Sequence, residues 1–144
     1  MKVIKEISLA YAKVQLLSNK IIRLQMFANV VIGFNECREM NNKIGELSEG
    51  KEALILMVPD SSTYFAPESR DFSASLEGLK YTIADAMVVR NLGQKILVSF
   101  YLKFNKPPKP SKAFSTELQA MEWLLSINKK SPAAAEDLDL IKDM

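Results

Sequence analysis

Two short and almost wholly apolar segments, at residues 53–58 and 83–89, constrain the fold of this chain more than any other feature. Each has the length of a β-strand, and an apolar run without polar alternation is typical of a strand covered on both faces. Asp85 is the single charge within the second segment. Strands of this kind belong to parallel sheets, in which helices connect one strand to the next. The pattern therefore predicts an α/β fold with a mostly parallel sheet.

An antiparallel pair of strands is expected before these two segments. Apolar and polar residues alternate over 11–17 and again over 22–26, on either side of the polar stretch 18–20. Two alternating runs around a short polar turn indicate a β-hairpin. A further short strand, at 112–114, follows the proline-rich stretch 107–110 and is long enough only for an edge strand.

Four segments have helical spacing of their apolar residues. They lie at 34–47, from Pro67 to about Gly78, at 92–104 after the capping residue Asn91, and after Ser115, where Leu118, Met121 and Leu125 form one face. The predicted order is β-β-α-β-α-β-α-β-α. It describes a mixed, mostly parallel sheet of four to five strands, with an opening hairpin and about four helices packed on it.

Composition excludes several chemistries. The 144 residues contain no histidine, which removes the usual general base near neutral pH and the commonest metal ligand. Cys37 is the only cysteine and has no partner for an internal disulfide. A net charge of +2 gives no argument for nucleic-acid binding. We therefore expect no cofactor, no metal site, no nucleic-acid partner and no enzymatic activity.

The expected organisation is one α/β domain over 1–128, followed by a C-terminal appendage over 129–144 that is either solvated or forms a short helix. Charges interrupt the first six residues, and the longest apolar run, 53–58, is far shorter than a membrane helix. We therefore expect a cytoplasmic protein with no transmembrane segment.

Residues 84–127 carry a sequence signature. The predicted strand enters a helix whose end and following loop, residues 100–111, read FYLKFNKPPKPS, and the final helix contains AMEWL at 120–124. This signature resembles that of the small bacterial STAS/SEC14-like, or SpoIIAA-like, single-domain proteins. The resemblance implies a four- or five-stranded sheet packed by helices, frequent dimerisation and no established enzymatic activity.

The better-known relatives in that family are anti-sigma-factor antagonists that are switched by phosphorylation of a serine at a helix start after the third strand. In this chain the corresponding position holds Ala66 and Pro67, so the motif is absent as it stands. Ser69, in the first turn of the predicted helix, is the remaining phosphoacceptor candidate.

The predicted helix 92–104 is apolar on nearly all sides, although one face is enough to cover a sheet. The additional apolar side chains indicate either a dimer contact or the wall of a ligand pocket, unless the C-terminal segment covers them. The residues concerned are Leu97, Phe100, Tyr101 and Phe104.

Residues 86–116 contain no acidic residue, and their lysines are the candidates for a basic rim that attracts an anionic partner. The alternative is a solvated face balanced by acids elsewhere. The rim consists of Lys103, Lys106, Lys109 and Lys112.

Asp85, with Glu68 and Asp71 at a nearby helix start, is the only carboxylate grouping in the sequence pattern that suggests acid and base chemistry. The alternative is an aspartate that reaches the strand edge or caps a helix. Cys37 shares a helix face with Phe34 and Met40 and is expected to be an inert, buried thiol.

Three functional hypotheses follow from these patterns. The first is a non-catalytic interaction or regulatory module that forms a homodimer, or binds another protein, through helix 92–104. The second is a binder of an apolar or lipid-like small molecule between that helix and the sheet. The third is an enzyme that uses carboxylates alone.

Overall fold

The computed structural model of the chain describes residues 2–130, with side chains described for residues 2–127. It contains four α-helices and one six-stranded sheet, together with a two-stranded ladder. The strands are β1 (Val3–Ser8), β2 (Ala12–Leu17), β3 (Ile22–Met26), β4 (Val31–Ile32), β5 (Ala53–Val58), β6 (Tyr64–Phe65), β7 (Thr82–Val88) and β8 (Ser111–Phe114). The helices are α1 (Phe34–Leu47), α2 (Pro67–Ser73), α3 (Leu92–Phe100) and α4 (Glu117–Lys130), and a π-helical turn, Tyr101–Asn105, continues α3.

The strands of the main sheet lie in the order β1-β2-β3-β5-β7-β8. The first three pair antiparallel, and β3, β5, β7 and β8 pair parallel in the order in which they occur along the chain. The remaining strands, β4 and β6, form the separate ladder. The predicted α/β architecture with a mostly parallel sheet and an opening hairpin is therefore confirmed.

The sheet has six strands instead of four to five because β1 was not predicted. Most of its side chains are exposed, and its sequence, VIKEIS, lacks a regular alternation of apolar and polar residues. The strand exists because it pairs along the edge of β2, with an irregularity in register between Val3 and Lys5. Such a strand leaves no periodic apolar signal in the sequence.

Each face of the sheet has its own helical layer, which explains why β5 and β7 are apolar on both sides. Leu54, Leu56 and Val58 pack with the apolar residues of β7 against α4. Ile55 and Met57 face the opposite way, against α1. Asp85 is paired with Ile55 in register, so the one charge of β7 lies on the α1 side of the sheet.

The predicted end of the second helix and the predicted cap of the last helix both need correction. The second helix ends at Ser73 and not near Gly78, because the chain turns back there and Gly78 lies against the carbonyl of Phe72. A Cβ at Gly78 would stand only 2.0 Å from that oxygen. Thr116, rather than Ser115, caps the start of α4, since its Oγ1 accepts a hydrogen bond from the amide of Gln119 at 3.2 Å.

The buried face of α4 also differs from the prediction. Ala120 and Leu124 are fully buried, whereas Leu118 is 69% exposed. The predicted face was centred on large side chains, but the helix approaches the sheet along a line that contains the small residue Ala120. The packing of α4 on the sheet therefore depends on a close approach at Ala120, which the hydrophobic pattern alone does not predict.

The predicted helix 92–104 consists of α3 and the π-helical turn. Asn91 caps it as expected, because its Oδ1 accepts a hydrogen bond from the amide of Gln94 at 2.8 Å. The π-helical turn ends at Lys106, which has a left-handed conformation with φ of 47°, just before the prolines. Single π-helical turns occur frequently at functional sites.

Within residues 2–130, no helix combines the length and the apolar character that a membrane crossing requires. Helix α4 continues to Lys130. The rest of the predicted appendage 129–144, from residue 131 onwards, lies outside the described part of the chain.

Candidate functional site

A cavity of about 60 Å³ lies at the carboxyl ends of β5 and β7, beneath α2 and α3. This edge of a parallel sheet is where α/β proteins commonly bind ligands. Most of its wall is apolar, formed by Met57, Phe65, Met87, Leu97 and Val98 among others. Its polar lining comes from Ser69, Arg70, Ser73, Asp85 and Gln94, and Tyr101 closes one side.

A second cavity, of about 50 Å³, lies on the α1 side and shares part of its lining with the first. The two cavities share Met57, Ser73 and Asp85 as lining residues. Cys37 and Asn41 of α1 line only the second. Asp85 therefore lies at the junction of the two spaces.

Asp85 is a buried carboxyl group without a full set of partners. Only 6% of the residue is exposed, and Oδ1 has no hydrogen-bond partner. The pairing of β7 with β8 places Ser111 beside it, and the amide of Asp85 donates to the carbonyl of Pro110 at 2.9 Å. Burial raises the pKa of Asp85 to about 6, and the Ser111 hydroxyl opposes part of this rise.

Asn41 provides a second orphan acceptor in the same region. Its Nδ2 donates a hydrogen bond to the carbonyl of Glu77 at 3.0 Å, which leaves Oδ1 buried without a partner. Over residues 2–127, these two oxygens are the buried side-chain polar atoms that lack a hydrogen bond. Buried polar groups are normally satisfied, so these two oxygens, whose residues both line the second cavity, are free to accept hydrogen bonds from a bound molecule.

Apart from the guanidinium of Arg70, the other polar groups near Asp85 are neutral or already bonded. The Ser69 hydroxyl donates to the carbonyl of Ala66 at 2.7 Å, and Ser73 Oγ lies 3.8 Å from Cys37 Sγ. Burial raises the pKa of the Cys37 thiol to about 11, which keeps it protonated. Burial, together with the charge of Asp85, also raises the pKa of Tyr101.

Ser69 does not occupy the position of an accessible phosphoacceptor. The residue is 1% exposed and its hydroxyl is directed into the fold. In this conformation a kinase has no access to it. The phosphoacceptor hypothesis would require α2 to open.

The structure divides the four candidate residues of helix 92–104 between two faces. Leu97 and Tyr101 lie one turn apart and line the cavity. Phe100 and Phe104 lie one turn apart on the outer face, with ring centroids 5.4 Å from each other. With Leu92 and Ile96 they form an exposed apolar row, whose exposed fractions are 70% for Leu92, 48% for Ile96, 55% for Phe100 and 64% for Phe104.

Gln94 fixes α3 over the cavity. Its Nε2 donates to the carbonyl of Asp60 at 2.8 Å, and its Oε1 accepts from the amide of Arg90 at 2.8 Å. The first bond connects the first turn of α3 to the loop that follows β5, and the second connects it to the segment between β7 and α3. The inner face of α3 is thereby held against the carboxyl ends of the strands.

The lysines of the predicted basic rim have different surroundings. Lys109 is 3.8 Å from the carboxylate of Glu52. Lys103 lies over the ring of Phe104 and Lys112 over the ring of Phe114, at 5.6 and 5.5 Å from the ring centroids. Lys106 is exposed. An anionic partner remains a prediction for these residues.

The carboxylates of the enzyme hypothesis are not brought together. Glu68 and Asp71 are exposed, and neither lines the cavity that contains Asp85. Asp71 instead accepts a hydrogen bond from Asn105 Nδ2 at 2.8 Å. Asp85 therefore stands without a second carboxylate from this group.

Residues 15–128 match the family described as Domain of unknown function (DUF7793). The chain belongs to this family. No curated protein and no solved structure matches it. The DUF7793 match extends from β2 into α4 and includes every residue that lines the two cavities.

Sequence reasoning missed several residues of the site in this DUF7793 domain, notably Asn41, Ser73 and Gln94. For Asn41 a signal was present, because it follows Cys37 by four residues and therefore shares the apolar side of α1. Asparagine side chains are mostly exposed, so an amide on the inward face of a helix is an informative exception. Ser73 and Gln94 gave no comparable signal, since both residue types are common on helix surfaces.

Proposed function

We propose that the chain is a non-catalytic binding module that holds a small, chiefly apolar molecule in the cavity between α3 and the sheet. The observation that carries this proposal is the apolar cavity with the unpartnered Asp85 Oδ1 at its inner end. Apolar walls with one or two convergent polar groups are the usual design of a small-molecule site.

The size of the cavity limits the ligand. A water needs roughly 10–15 Å³ of such space, so about 60 Å³ accommodates a molecule of roughly four to six non-hydrogen atoms. The adjoining space of about 50 Å³ becomes available if Met57, which borders both cavities, changes its side-chain conformation. A longer apolar ligand would then reach from α3 towards α1.

The STAS-like, SpoIIAA-like family membership remains a proposal. It is supported by the sequence signature at 100–111 and 120–124. The connection of β3, β5, β7 and β8 through helices also agrees with the helix-packed sheet that the resemblance implies.

A titration with n-butanol, followed by amide NMR spectra, tests ligand binding in the cavity. We expect saturable shifts for residues around the cavity, and the variant Val98→Phe should weaken binding by about tenfold or more because the larger ring fills the space. The matched control is Ile96→Phe on the outer face of the same helix, which should leave binding unchanged. Equal binding by both variants, or no saturable shifts in the wild type, would contradict the proposal.

Self-association through the outer face of α3 is the second candidate function. The observation that favours it is the exposed row of Leu92, Ile96, Phe100 and Phe104, because a row of apolar side chains on one helix can pack against the same row of a second copy. Such a homodimer would combine ligand binding on the inner face with an interface on the outer face.

Light scattering across a concentration series tests this second candidate. We expect a dimer for the wild type and a monomer for Phe100→Lys, since the substitution places a charge within the apolar row. Leu118→Lys, at an apolar residue of α4 that is 69% exposed, is the matched control and should remain dimeric. A wild-type monomer at all concentrations would exclude the homodimer.

A further inference from the structure

We propose that the molecule held in the cavity carries a primary amine, whose protonated nitrogen donates a hydrogen bond to Asp85 Oδ1. This inference rests on the proposed function, because it specifies the chemical class of the ligand that the cavity binds. It assigns Asp85 as the group that recognises the polar end of the ligand.

The first argument is the type of the unsatisfied atoms. Asp85 Oδ1 and Asn41 Oδ1 are both hydrogen-bond acceptors, and Asp85 borders both cavities while Asn41 borders the second. Only a molecule that brings hydrogen-bond donors can complete this arrangement. A ligand with a carboxylate would instead place like charges together.

The second argument is the charge of Asp85. A buried carboxylate is costly unless a cation or several donors compensate it. In the part of the chain with described side chains, no lysine or arginine nitrogen lies within 4.0 Å of it, since the ion pairs there involve other carboxylates. An ammonium group has three N–H donors, no acceptor and the complementary charge, whereas a hydroxyl has one donor and no charge.

The third argument is the place of Asp85 relative to the apolar wall. Leu97, Val98 and Tyr101 cover the cavity from α3 and the π-helical turn, and Asp85 lies on the sheet beneath them. A short alkylamine fits this arrangement with its chain against the helix and its nitrogen towards the sheet. Arg70, the one cationic side chain of the lining, lies on α2 and is half-buried.

The test compares n-butylamine with n-butanol, which have the same chain and differ in the polar end. Amide NMR titrations near pH 8 should show that the wild type binds butylamine about tenfold or more tightly than butanol, as expected for a charge-assisted hydrogen bond. In Asp85→Asn this preference should disappear, while the affinity for butanol should change by less than about threefold. The amide spectrum of the variant reports whether the fold is retained.

A pH series on the wild type gives a second readout that needs no variant. Burial raises the pKa of Asp85 to about 6, so the affinity for butylamine should fall as the pH is lowered through this value, whereas that for butanol should not. The other titratable groups beside Asp85, Cys37 and Tyr101, stay neutral over this range, because burial raises the pKa of both.

The possible results distinguish this inference from the proposed function. If neither compound binds, the cavity is not a ligand site and both proposals are overturned. If butanol binds as tightly as butylamine, or the preference persists in Asp85→Asn, the cavity binds apolar molecules but the amine assignment is wrong. If a buried water satisfied Asp85, butanol would bind as tightly as butylamine.

Discussion

The buried carboxyl group of Asp85 should contribute less stability at neutral pH than in mild acid, and Asp85→Asn should remove this contribution. The carboxyl has a pKa of about 6 in the folded protein, compared with 3.8 for an exposed aspartate. A folded-state pKa above the unfolded value means that the folded protein binds the proton more tightly. The stabilising contribution is therefore complete below 3.8 and is lost as the pH rises through 6.

The size of this effect follows from the two pKa values. At about 1.36 kcal/mol per pKa unit, the difference between 3.8 and about 6 corresponds to a loss of about 3 kcal/mol above pH 7. Asparagine has nearly the shape of the protonated acid but does not ionise. We therefore expect the variant to exceed the wild type in free energy of unfolding by about 3 kcal/mol near pH 8, and to approach it below about pH 4.

Urea denaturation of both proteins between about pH 4 and pH 8 measures this difference, with the linear dependence on denaturant giving the free energy of unfolding. Asp71→Asn, which removes an exposed carboxylate, controls for the change in net charge and should alter stability by less than about 0.5 kcal/mol at either end of the range. A difference between Asp85→Asn and the wild type that does not vary with pH would refute the reasoning.

Three further predictions concern the packing around the sheet. Leu124→Ala should cost about 2–5 kcal/mol of unfolding free energy, while Leu118→Ala on the same helix should cost less than about 0.5 kcal/mol, as urea denaturation will show. Gly78→Ala should destabilise the protein by more than about 2 kcal/mol in thermal melts, because its Cβ would collide with a backbone oxygen. Cys37 should react with a thiol reagent near pH 8 much more slowly in the folded protein than in urea, since its thiol has a pKa of about 11.

The architecture could be predicted because it depends on patterns that local segments display by themselves. The apolar strands β5 and β7 and the capped start of α3 at Asn91 were all found from sequence. The turn at Gly78 and the true face of α4 were not, because each depends on how closely two segments approach. Sequence periodicity reports which residues prefer burial, but not the distance between the elements that bury them.

The candidate site was only partly predictable for the same reason. Asp85 was noticed as an isolated charge in an apolar strand, yet its expected partners Glu68 and Asp71 lie elsewhere on the surface. Its actual surroundings come from α1, α2, α3 and β8, four elements that are separated along the sequence. Leu97 and Phe100 were assigned to one surface, although Leu97 lines the cavity and Phe100 is exposed, so they serve different proposed roles.

The two outer strands of the sheet bear on the solubility of the protein. An edge strand has unpaired backbone groups that can pair with another chain and begin aggregation. At one edge, β1 carries Lys5 and Glu6 and an irregular register; at the other, β8 carries Lys112 directly after a run rich in proline. Charges, irregular pairing and prolines all oppose the addition of a further strand. The features of β1 and β8 therefore oppose the addition of a seventh strand. The helical layers, and not the edges of the sheet, are then the surfaces available for specific association.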